Sequence, residues 1–357
     1  MKIDSMFNIF TALILCTSFP SCEEKEGENR FPLASEHDID GILLTAAFDD
    51  FMKVDGALSL IVSRSGKVIA EEYTYYKNYG PDSIKNIMSV TKSFSGVLVG
   101  LALEKGFIKS IDDPISKYLD GIVSFPDDIK AGITIDQLLK MSFGHSWNGT
   151  SPSSLYNTWA NTQDHLQYII DLPLVNTPGT MFNYSDGASH LLSVIISEAT
   201  GMNTLDFAKE NLFDPLDIKK YEWGKDDRGY PNGAAGLQII PADMVKFGNL
   251  ILNNGKYNGK QVIPESWITT MTTPKISTNN DVLYGPEYGY QIWLGSSGGY
   301  KYFMAMGWGG QFIFILPEHN TVITATCWTS GLDWQQAGEH WTQIIRIIVE
   351  KIFPSIR

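Results

Sequence analysis

Hydrophobic residues recur at helical spacing in the stretch SVTKSFSGVLVGLALEKG, residues 89–106. Its apolar positions follow one another at i, i+4, i+7, i+8 and i+11, which places them on one face of an α-helix. They are Val90, Phe94, Val97, Leu98 and Leu101. A lysine followed by a glycine is a common helix ending. The pattern therefore predicts a helix that stops at Gly106 and carries Ser89 in its first turn.

Similar patterns predict further helices through the middle of the chain and strands towards both of its ends. The predicted helices are 37–53, a short helix capped by Thr134, 191–199, 205–213, a helix that begins at Pro241, and 334–352. The predicted strands are 57–64, 67–74, 288–294, 300–306, 311–316 and 321–328. Ser65 and Gly66, between the first two strands, predict a hairpin.

This order of elements predicts an α+β, three-layer fold in which an antiparallel sheet is flanked by helices. The N- and C-terminal segments build the sheet part, about 37–106 and 231–357, and an inserted all-helical region occupies about 107–230. No repeat or linker divides residues 37–357, which we expect to form a single domain. A functional site is expected between the sheet part and the helical part.

The N-terminal residues have the pattern of an export signal. Residues 6–19 are apolar, follow Lys2 and lead to a small residue before Cys22, which is typical of a bacterial lipoprotein signal over 1–21. Cys22 would be the lipidated first residue of the mature protein, and residues 22–36 an acidic, flexible tether. The chain is then exported and anchored to a membrane, facing the periplasm or the cell surface. A cleaved secretory signal with an unmodified Cys22 is the alternative.

The acidic character of the chain limits its partners. The formal net charge is −13, and no basic tract is present, which argues against nucleic acid as a partner. Cys327 is the one cysteine outside the signal and the anchor, so no intramolecular disulfide is expected. The six histidines show no metal-ligand spacing. We expect neither a metal nor a cofactor, and the oligomeric state stays open.

Ser89 and Lys92 form the candidate catalytic pair. They are three residues apart in one helical turn, so the lysine amine can reach the serine hydroxyl. A serine needs a neighbouring base in order to attack, and a lysine serves as one only when burial or another cation lowers its pKa. The alternative is structural, with Ser89 capping the helix and Lys92 solvated at the surface.

Two further stretches join this pair. Residues 178–186 read PGTMFNYSD, and residues 307–311 read GWGGQ between two predicted strands. Together with SVTK they resemble the serine beta-lactamase and penicillin-binding-protein superfamily, in the branch of class C beta-lactamases, D-aminopeptidases, esterases and 6-aminohexanoate-dimer hydrolases. The resemblance runs from about residue 55 to the C-terminus. Within the branch, the chain looks most like the 6-aminohexanoate-dimer hydrolases.

The resemblance implies a role for each matching residue. Ser89 would be the acyl-accepting nucleophile, and Lys92 its base or base-tuning partner. Tyr184 would carry a proton to the leaving group and help to activate the deacylating water, with an ammonium offsetting the phenol pKa of about 10. Backbone N–H groups of Ser89 and Gln311 would form the oxyanion hole, the second at the start of an edge strand. The alternative for Tyr184 is a core aromatic with a satisfied hydroxyl.

The candidate substrate-binding residues depart from the family pattern. Trp308 and Gly309, followed by Gly310, stand where many relatives carry Lys or His and then Thr, groups that hold the substrate carboxylate in beta-lactamases. An indole offers only an apolar wall and one N–H donor, which predicts a substrate without a carboxylate near the scissile bond. Asp186 replaces the usual Asn and, in contact with Lys92, would raise the pKa of that lysine. A core position for Trp308 and a surface helix start for Asp186 are the alternatives.

Three functional hypotheses follow. The first is a lipid-anchored serine hydrolase that cleaves a small amide or ester through an acyl-enzyme on Ser89. The second is a D,D-peptidase, D-aminopeptidase or beta-lactamase acting on cell-wall peptides or beta-lactams, and the third is a non-catalytic binding module on the same fold. Trp147, Tyr156 and Trp159 are candidates for the pocket wall on composition alone.

Overall fold

The computed structural model describes residues 28–147, 155–279 and 284–357. The predicted signal over 1–21 and its lipidation site Cys22 lie outside the described residues. Over the part of the chain that is described, no helix is both long and apolar enough to span a bilayer.

The C-terminal end of the predicted tether is ordered. Residues Pro32–Glu36 form a short helix, and the ring of Phe31 lies 4.6 Å from that of Phe48. Both Phe31 and Ala34 are buried. The prediction of a flexible tether up to residue 36 is therefore wrong at this end, because two apolar side chains bury surface against the domain.

An antiparallel sheet of eight strands organises the molecule. The strands of this sheet and of two smaller sheets in the described residues are, in chain order, β1 (Ala57–Arg64), β2 (Lys67–Tyr73), β3 (Lys85–Asn86), β4 (Tyr221–Trp223), β5 (Leu237–Ile239), β6 (Lys256–Tyr257), β7 (Lys260–Gln261), β8 (Ile276–Ser277), β9 (Glu287–Tyr288), β10 (Trp293–Ser297), β11 (Tyr300–Gly307), β12 (Gln311–Leu316) and β13 (Thr321–Cys327). The order across the large sheet is β2-β1-β13-β12-β11-β10-β9-β8. The N-terminal hairpin thus pairs with the last strand, and the prediction of a sheet built from both ends of the chain is confirmed.

Helices cover both faces of this sheet. In chain order they are α1 (Pro32–Glu36), α2 (Gly41–Phe51), α3 (Thr91–Glu104), α4 (Ser116–Leu119), α5 (Asp128–Ala131), α6 (Ile135–Leu139), α7 (Tyr156–Ala160), α8 (His165–Asp171), α9 (Asp186–Thr200), α10 (Thr204–Ala208), α11 (Pro241–Leu252), α12 (Glu265–Met271), α13 (Trp334–Arg346) and α14 (Phe353–Ser355). On one face, α11 approaches so closely that a Cβ at Gly248 would lie 3.0 Å from Ile313. On the other face, Phe312 lies 5.9 Å from Trp341 of α13. Adjacent strand residues point to opposite faces, so the sheet is the middle of three layers.

Local sequence signals set several helix boundaries. The Asp40 carboxylate accepts the N–H bonds that open α2, and Thr134 forms a capping box with Gln137 at the start of α6. Ser185 caps α9, which ends at Gly201 with a left-handed φ of +65°. The sequence predicted both the N-cap at Thr134 and the helix end at Gly201, and both predictions are confirmed.

The inserted region is not entirely helical. It holds α4 to α10, but β4 lies within 107–230 and forms a three-stranded sheet with β5 and β3. Trp223 of β4 is buried and donates its indole N–H to the Asn232 carbonyl at 2.8 Å. The prediction of an all-helical insert is wrong at β4, because three residues are too few for a periodic pattern to be read.

The predicted strand 288–294 is in fact two strands joined by a turn. Tyr288 of β9 pairs with Trp293 of β10. A Cβ at Gly289 would lie 2.1 Å from the Met271 carbonyl oxygen, and Gln291 has a left-handed φ of +58°. These two residues form the turn, which the apolar character of the run conceals.

Gln291 joins the two parts of the molecule. Its buried amide donates to the carbonyls of Leu138 and Leu139, both at 3.1 Å, and accepts from the Ser189 hydroxyl at 2.7 Å. Its own carbonyl accepts from the Ser93 hydroxyl at 2.6 Å. The turn therefore fixes α3 relative to α9, the two helices whose N-terminal ends meet at the site described next.

Candidate active site

Ser89 lies in a 3₁₀ turn, Met88–Val90, immediately before α3. Met88 has a φ of +51°, a conformation that a residue with a side chain rarely adopts. Its N–H donates to the Asn86 side chain at 2.8 Å, which holds the turn. Ser89 is half-buried. Ser89 thus lies just ahead of the α-helix. The sequence pattern predicted it within the first turn of that helix, and this prediction is wrong by a few residues.

Lys92 is buried beneath Ser89 with all of its donors used. Its ammonium donates to Ser89 Oγ at 2.8 Å, to Asp186 Oδ1 at 2.6 Å and to the Ala234 carbonyl at 2.8 Å. An ammonium has three N–H donors, so this coordination satisfies the charged form. Burial alone would lower the pKa of Lys92, but the charges and hydrogen bonds of Asp186 and Tyr184 outweigh it and raise this pKa.

Asp186 is the first residue of α9 and points inward. Ser185 caps the helix by accepting the Ala188 N–H at 3.1 Å, which leaves the Asp186 carboxylate free to pair with Lys92. Both side chains of the pair are buried. The alternative of a surface helix-start residue is therefore wrong for Asp186: it starts the helix, but inside the protein.

Tyr184 completes the cluster. Its ring centroid lies 4.9 Å from Lys92 Nζ, and the side chains of Ser89 and Lys92 lie near enough to its hydroxyl to lower the phenol pKa. Burial raises the pKa of the Tyr184 phenol, and the Lys92 ammonium opposes that shift. Tyr184 therefore holds its proton at neutral pH while contacting both members of the Ser89 and Lys92 pair.

The loop before β5 supplies two groups that the sequence analysis missed. The Ala234 carbonyl is the third acceptor of Lys92, and the Asn232 side chain hydrogen-bonds the hydroxyl of Tyr156. A Cβ at Gly233 would lie 2.3 Å from the Ser189 carbonyl oxygen. The asparagine and glycines of this loop signal a turn, but a turn signal does not say which carbonyl meets a distant lysine.

The three aromatic candidates for the pocket wall separate into two groups. Tyr156 is half-buried, and its pKa responds to the charges of Asp186 and Lys92, so it borders the cluster. Trp147 and Trp159 are buried, with ring centroids 5.9 Å apart. These two tryptophans belong to the core of the helical part, and their prediction as wall residues is wrong.

The turn Trp308-Gly309-Gly310 joins β11 to β12 beside the Ser89 turn. At the end of β11, a Cβ on Gly307 would lie 2.5 Å from the Ile87 carbonyl oxygen. Trp308 is half-buried, with its ring 6.3 Å from that of Trp334. Gly309 and Gly310 have φ of +72° and +100°. These conformations favour glycine, so the two glycines shape the turn.

Gln311 lies inside the sheet, opposite Gly307. Its strand β12 is flanked by β11 and β13, so the prediction that Gln311 starts an edge strand is wrong. Its side chain donates to the Cys327 carbonyl at 2.8 Å and accepts the Cys327 N–H at 3.3 Å. The side chain is thus a clamp between strands, and a role for its backbone N–H in an oxyanion hole stays a prediction.

A second nucleophile-like group lies outside this cluster. Cys327 Sγ is 3.5 Å from His340 Nδ1, and His340 Nε2 is 4.0 Å from an Asp55 carboxylate oxygen. Burial raises the pKa of the Cys327 thiol to about 12, so it stays protonated and unreactive at neutral pH. Across the described ranges, no group of three or more His, Cys, Asp or Glu residues is arranged to hold a metal ion.

Comparison with known proteins gives matches over most of the chain. A family model described as Beta-lactamase matches residues 44–346. A 6-aminohexanoate-dimer hydrolase from Paenarthrobacter ureafaciens is 24% identical over 229 residues, covering 60% of this chain and 56% of that enzyme. The chain thus matches little more than half of the length of this relative.

Solved structures share the architecture. A protein from Bacillus anthracis, provisionally named a 6-aminohexanoate-dimer hydrolase, aligns with a TM-score of 0.69 and 20% identity over 87% of this chain and 82% of that one. The octameric penicillin-binding protein homologue from Pyrococcus abyssi also aligns with a TM-score of 0.69 and 20% identity, over 87% of this chain and 77% of that one. At this identity, the likeness shows that the fold is shared.

Proposed function

The chain belongs to the beta-lactamase family, and on this premise we propose that it is a serine hydrolase that cleaves small ester or amide bonds through an acyl-enzyme on Ser89. The family model spans residues 44–346, which confirms the resemblance drawn from the three motifs. One observation carries the proposal: Ser89, Lys92 and Tyr184 meet in a single cluster, with Lys92 Nζ 2.8 Å from Ser89 Oγ.

In this proposal Lys92 acts as a cation. Because its ammonium donates to Ser89 Oγ, the proton of Ser89 is directed to a different acceptor, and the hydrogen-bonded oxygen of Tyr184 is within reach. As Ser89 Oγ bonds to the substrate carbonyl carbon, its proton passes to Tyr184, and the proton that Tyr184 already carries passes to the leaving group. The ammonium offsets the negative charge that builds on the phenol oxygen during this exchange.

Deacylation reverses the same proton path. Water attacks the acyl carbon and gives its proton to Tyr184, which returns a proton to Ser89 Oγ as the ester bond breaks. The N–H of Ser89, ahead of α3, is one donor to the oxyanion in both steps, and Gln311 is the predicted second donor. One such donor stabilises the transition state by about 3 kcal/mol.

The substrate class follows from the turn beside Ser89. Trp308 presents an indole where many relatives have a cation, so we infer a small amide or ester without a carboxylate next to the scissile bond. The relative from Paenarthrobacter ureafaciens is named for an amide of this size. Hydrolysis of beta-lactams or cell-wall peptides is the competing activity, and the missing cation argues against it.

Intact-mass spectrometry with a substrate panel tests the proposal. The panel holds p-nitrophenyl esters, short linear amides, nitrocefin and a fluorophosphonate probe. We expect acyl adducts or turnover with the esters, lost in Ser89→Ala and reduced on the order of a thousandfold in Lys92→Ala. Undiminished turnover by Ser89→Ala would refute the assignment. Rapid acylation by nitrocefin would favour the beta-lactam activity, and no labelling by any compound would favour a binding module.

We also propose that the chain is exported and held at a membrane by a lipid on Cys22. The support is the sequence pattern alone, an apolar run followed by a small residue and a cysteine. Metabolic labelling with an alkyne fatty acid should mark the wild-type chain, and Cys22→Ser should abolish the label. Cys16→Ser is the matched control, because Cys16 lies inside the predicted signal. Labelling that persists in Cys22→Ser contradicts the anchor.

A further inference from the structure

We propose that Lys85 and Thr329 form a recognition site for a carboxylate of the substrate, at a distance from the scissile bond. The inference rests on the proposed function, because it assigns a substrate group to the region beside Ser89.

Lys85 is a buried cation with little to neutralise it. The residue is 9% exposed, and its ammonium donates to Thr329 Oγ1 at 3.2 Å and lies 4.9 Å from the centroid of the Trp328 ring. Within residues 28–147, 155–279 and 284–357, no carboxylate oxygen lies within 4.0 Å of this ammonium. An ammonium has three donors, so Lys85 keeps hydrogen-bonding capacity for a ligand.

The other two buried lysines of the described chain are arranged differently. Lys92 pairs with the Asp186 carboxylate. Lys130 donates to two carbonyl oxygens, those of Ile170 and Leu172, at 2.7 and 2.8 Å. Lys85 has instead a hydroxyl and a ring as its contacts, and burial lowers its pKa, opposed only by the nearby Cys327. Burying a charge without a partner is costly, and a bound carboxylate would offset that cost.

A second lysine faces the same indole ring. Lys77 Nζ lies 4.7 Å from the centroid of the Trp328 ring, and Lys77 is exposed. Among the described residues, no carboxylate lies within 4.0 Å of Lys77 either. Two unpaired ammonium groups on one aromatic side chain make a local positive site in a chain whose formal net charge is −13, and this site attracts anions.

The site adjoins the turn that lacks the family cation. A Cβ at Gly309 would lie 2.7 Å from Thr329 Cγ2, so the residue that binds the Lys85 ammonium also contacts the turn after Trp308. Lys85 precedes Ser89 by four residues, which limits their Cα separation to about 14 Å. Because this is an upper limit, the Lys85 ammonium is close enough in the chain to meet a carboxylate carried several methylene groups away from the scissile carbonyl. Lys85 then supplies a positive charge at a greater distance from the scissile bond, whereas Trp308 supplies none beside it.

Matched substrate pairs test the site. One pair is the mono-p-nitrophenyl ester of adipic acid against p-nitrophenyl hexanoate, and the other is N-hexanoyl-6-aminohexanoate against N-hexylhexanamide. For at least one pair, we expect Lys85→Met to lower the ratio of kcat/KM for the acid over the neutral compound by about 10-fold to 100-fold. Thr329→Val, which removes the hydroxyl and keeps the shape, should lower the same ratio by less. Lys67→Met, an exposed lysine of β2, should leave it unchanged.

Equilibrium binding separates this inference from the proposed activity. Calorimetry measures adipate binding to the Ser89→Ala chain and to the same chain carrying Lys85→Met. Adipate binding that is lost with Lys85→Met supports the site even if no ester is turned over. Unchanged ratios for both substrate pairs, or adipate binding that Lys85→Met does not weaken, overturn it. Inorganic phosphate is the specificity control, and binding as tight as that of adipate overturns the assignment to carboxylates.

Discussion

The ammonium of Lys92 lies 2.6 Å from the carboxylate of Asp186, and both side chains are buried. The pair holds a positive charge directly beneath Ser89, whose hydroxyl accepts from the same ammonium. Lys92 therefore serves the proposed reaction by stabilising negative charge, and Tyr184 is left to move the protons.

The first prediction concerns pH. Because Asp186 and Tyr184 raise the pKa of Lys92 above its usual 10.5 despite burial, the ammonium persists through neutral pH. The stability it contributes is fully present below pH 10.5 and is lost as pH rises through the raised pKa. We expect kcat/KM for a neutral ester to be level between about pH 7 and 9. In Asp186→Asn, burial is no longer opposed by the carboxylate and lowers the pKa of Lys92, so activity should begin to fall at a lower pH than in the wild type.

The control for this pH series is Asp82→Asn, since the side chain of Asp82 is 85% exposed and lies outside the cluster. Its profile should match that of the wild type. A wild-type kcat/KM that climbs about tenfold per pH unit across the interval would instead identify a neutral lysine as the base.

The second prediction concerns Tyr184. If its phenol protonates the leaving group, then Tyr184→Phe should slow amides and alkyl esters by about 10²-fold to 10⁴-fold. The effect on p-nitrophenyl esters should be smaller, because p-nitrophenolate departs without a proton. Steady-state kinetics over a series of leaving groups measures the difference. An equal loss for every leaving group would show that Tyr184 does not supply this proton.

The third prediction concerns the turn after Trp308. Gly310→Ala places a side chain at φ +100°, with its Cβ 2.5 Å from Ile344 Cδ1, and should lower the free energy of unfolding by about 2–4 kcal/mol. Gly338→Ala is the matched control of opposite sign. Nothing lies within 4 Å of a Cβ at Gly338, inside helix α13, so alanine should stabilise by about 0.5–1 kcal/mol. Urea unfolding of both variants measures these effects, and equal shifts would contradict the prediction.

The fourth prediction concerns Gln291. In Gln291→Leu the carbonyls of Leu138 and Leu139 and the hydroxyl of Ser189 each lose one hydrogen bond, which should cost about 3 kcal/mol of unfolding free energy in all. Since this turn fixes α3 against α9, kcat should also fall, although Gln291 makes no contact with Ser89, Lys92 or Tyr184 among the hydrogen bonds described. Thermal unfolding and ester kinetics check the two effects together.

Gln335→Leu serves as the comparison for that experiment, because Gln335 is exposed on α13. It should change the unfolding free energy by less than about 0.5 kcal/mol, and it should leave kcat unchanged. A loss of stability in Gln291→Leu without any loss of kcat would show that the alignment of the two helices is maintained by other contacts.

Much of the architecture could be predicted from the sequence because its signals are local. The hairpin around Ser65 and Gly66 forms as β1 and β2, and the strands at both ends of the chain pair in one sheet. Alternation and turn residues act within a few positions of each other. The errors fall where local signals conflict with distant contacts, as at Gly289, where the approach of Met271 forces a turn into an apolar run.

The candidate site divides in the same way. The contact between Ser89 and Lys92 could be predicted from their spacing alone, because side chains three residues apart on one turn are neighbours wherever that turn lies in the fold. The resemblance of the second motif pointed to Tyr184 and Asp186. No local sequence signal predicted the contacts of the Ala234 carbonyl, the Asn232 amide or the Lys85 ammonium. Each of these groups contacts a residue more than 70 positions away in the chain.

The amino-acid sequence therefore determined which elements form, which family the chain joins and which hydroxyl is the candidate nucleophile. Only the tertiary structure decided the charge state of Lys92, the inward orientation of Asp186 and the isolation of Lys85. The physical reason is that a charge depends on the depth of burial and on the nearest opposite charge, and both are properties of chain segments that are brought together only by folding.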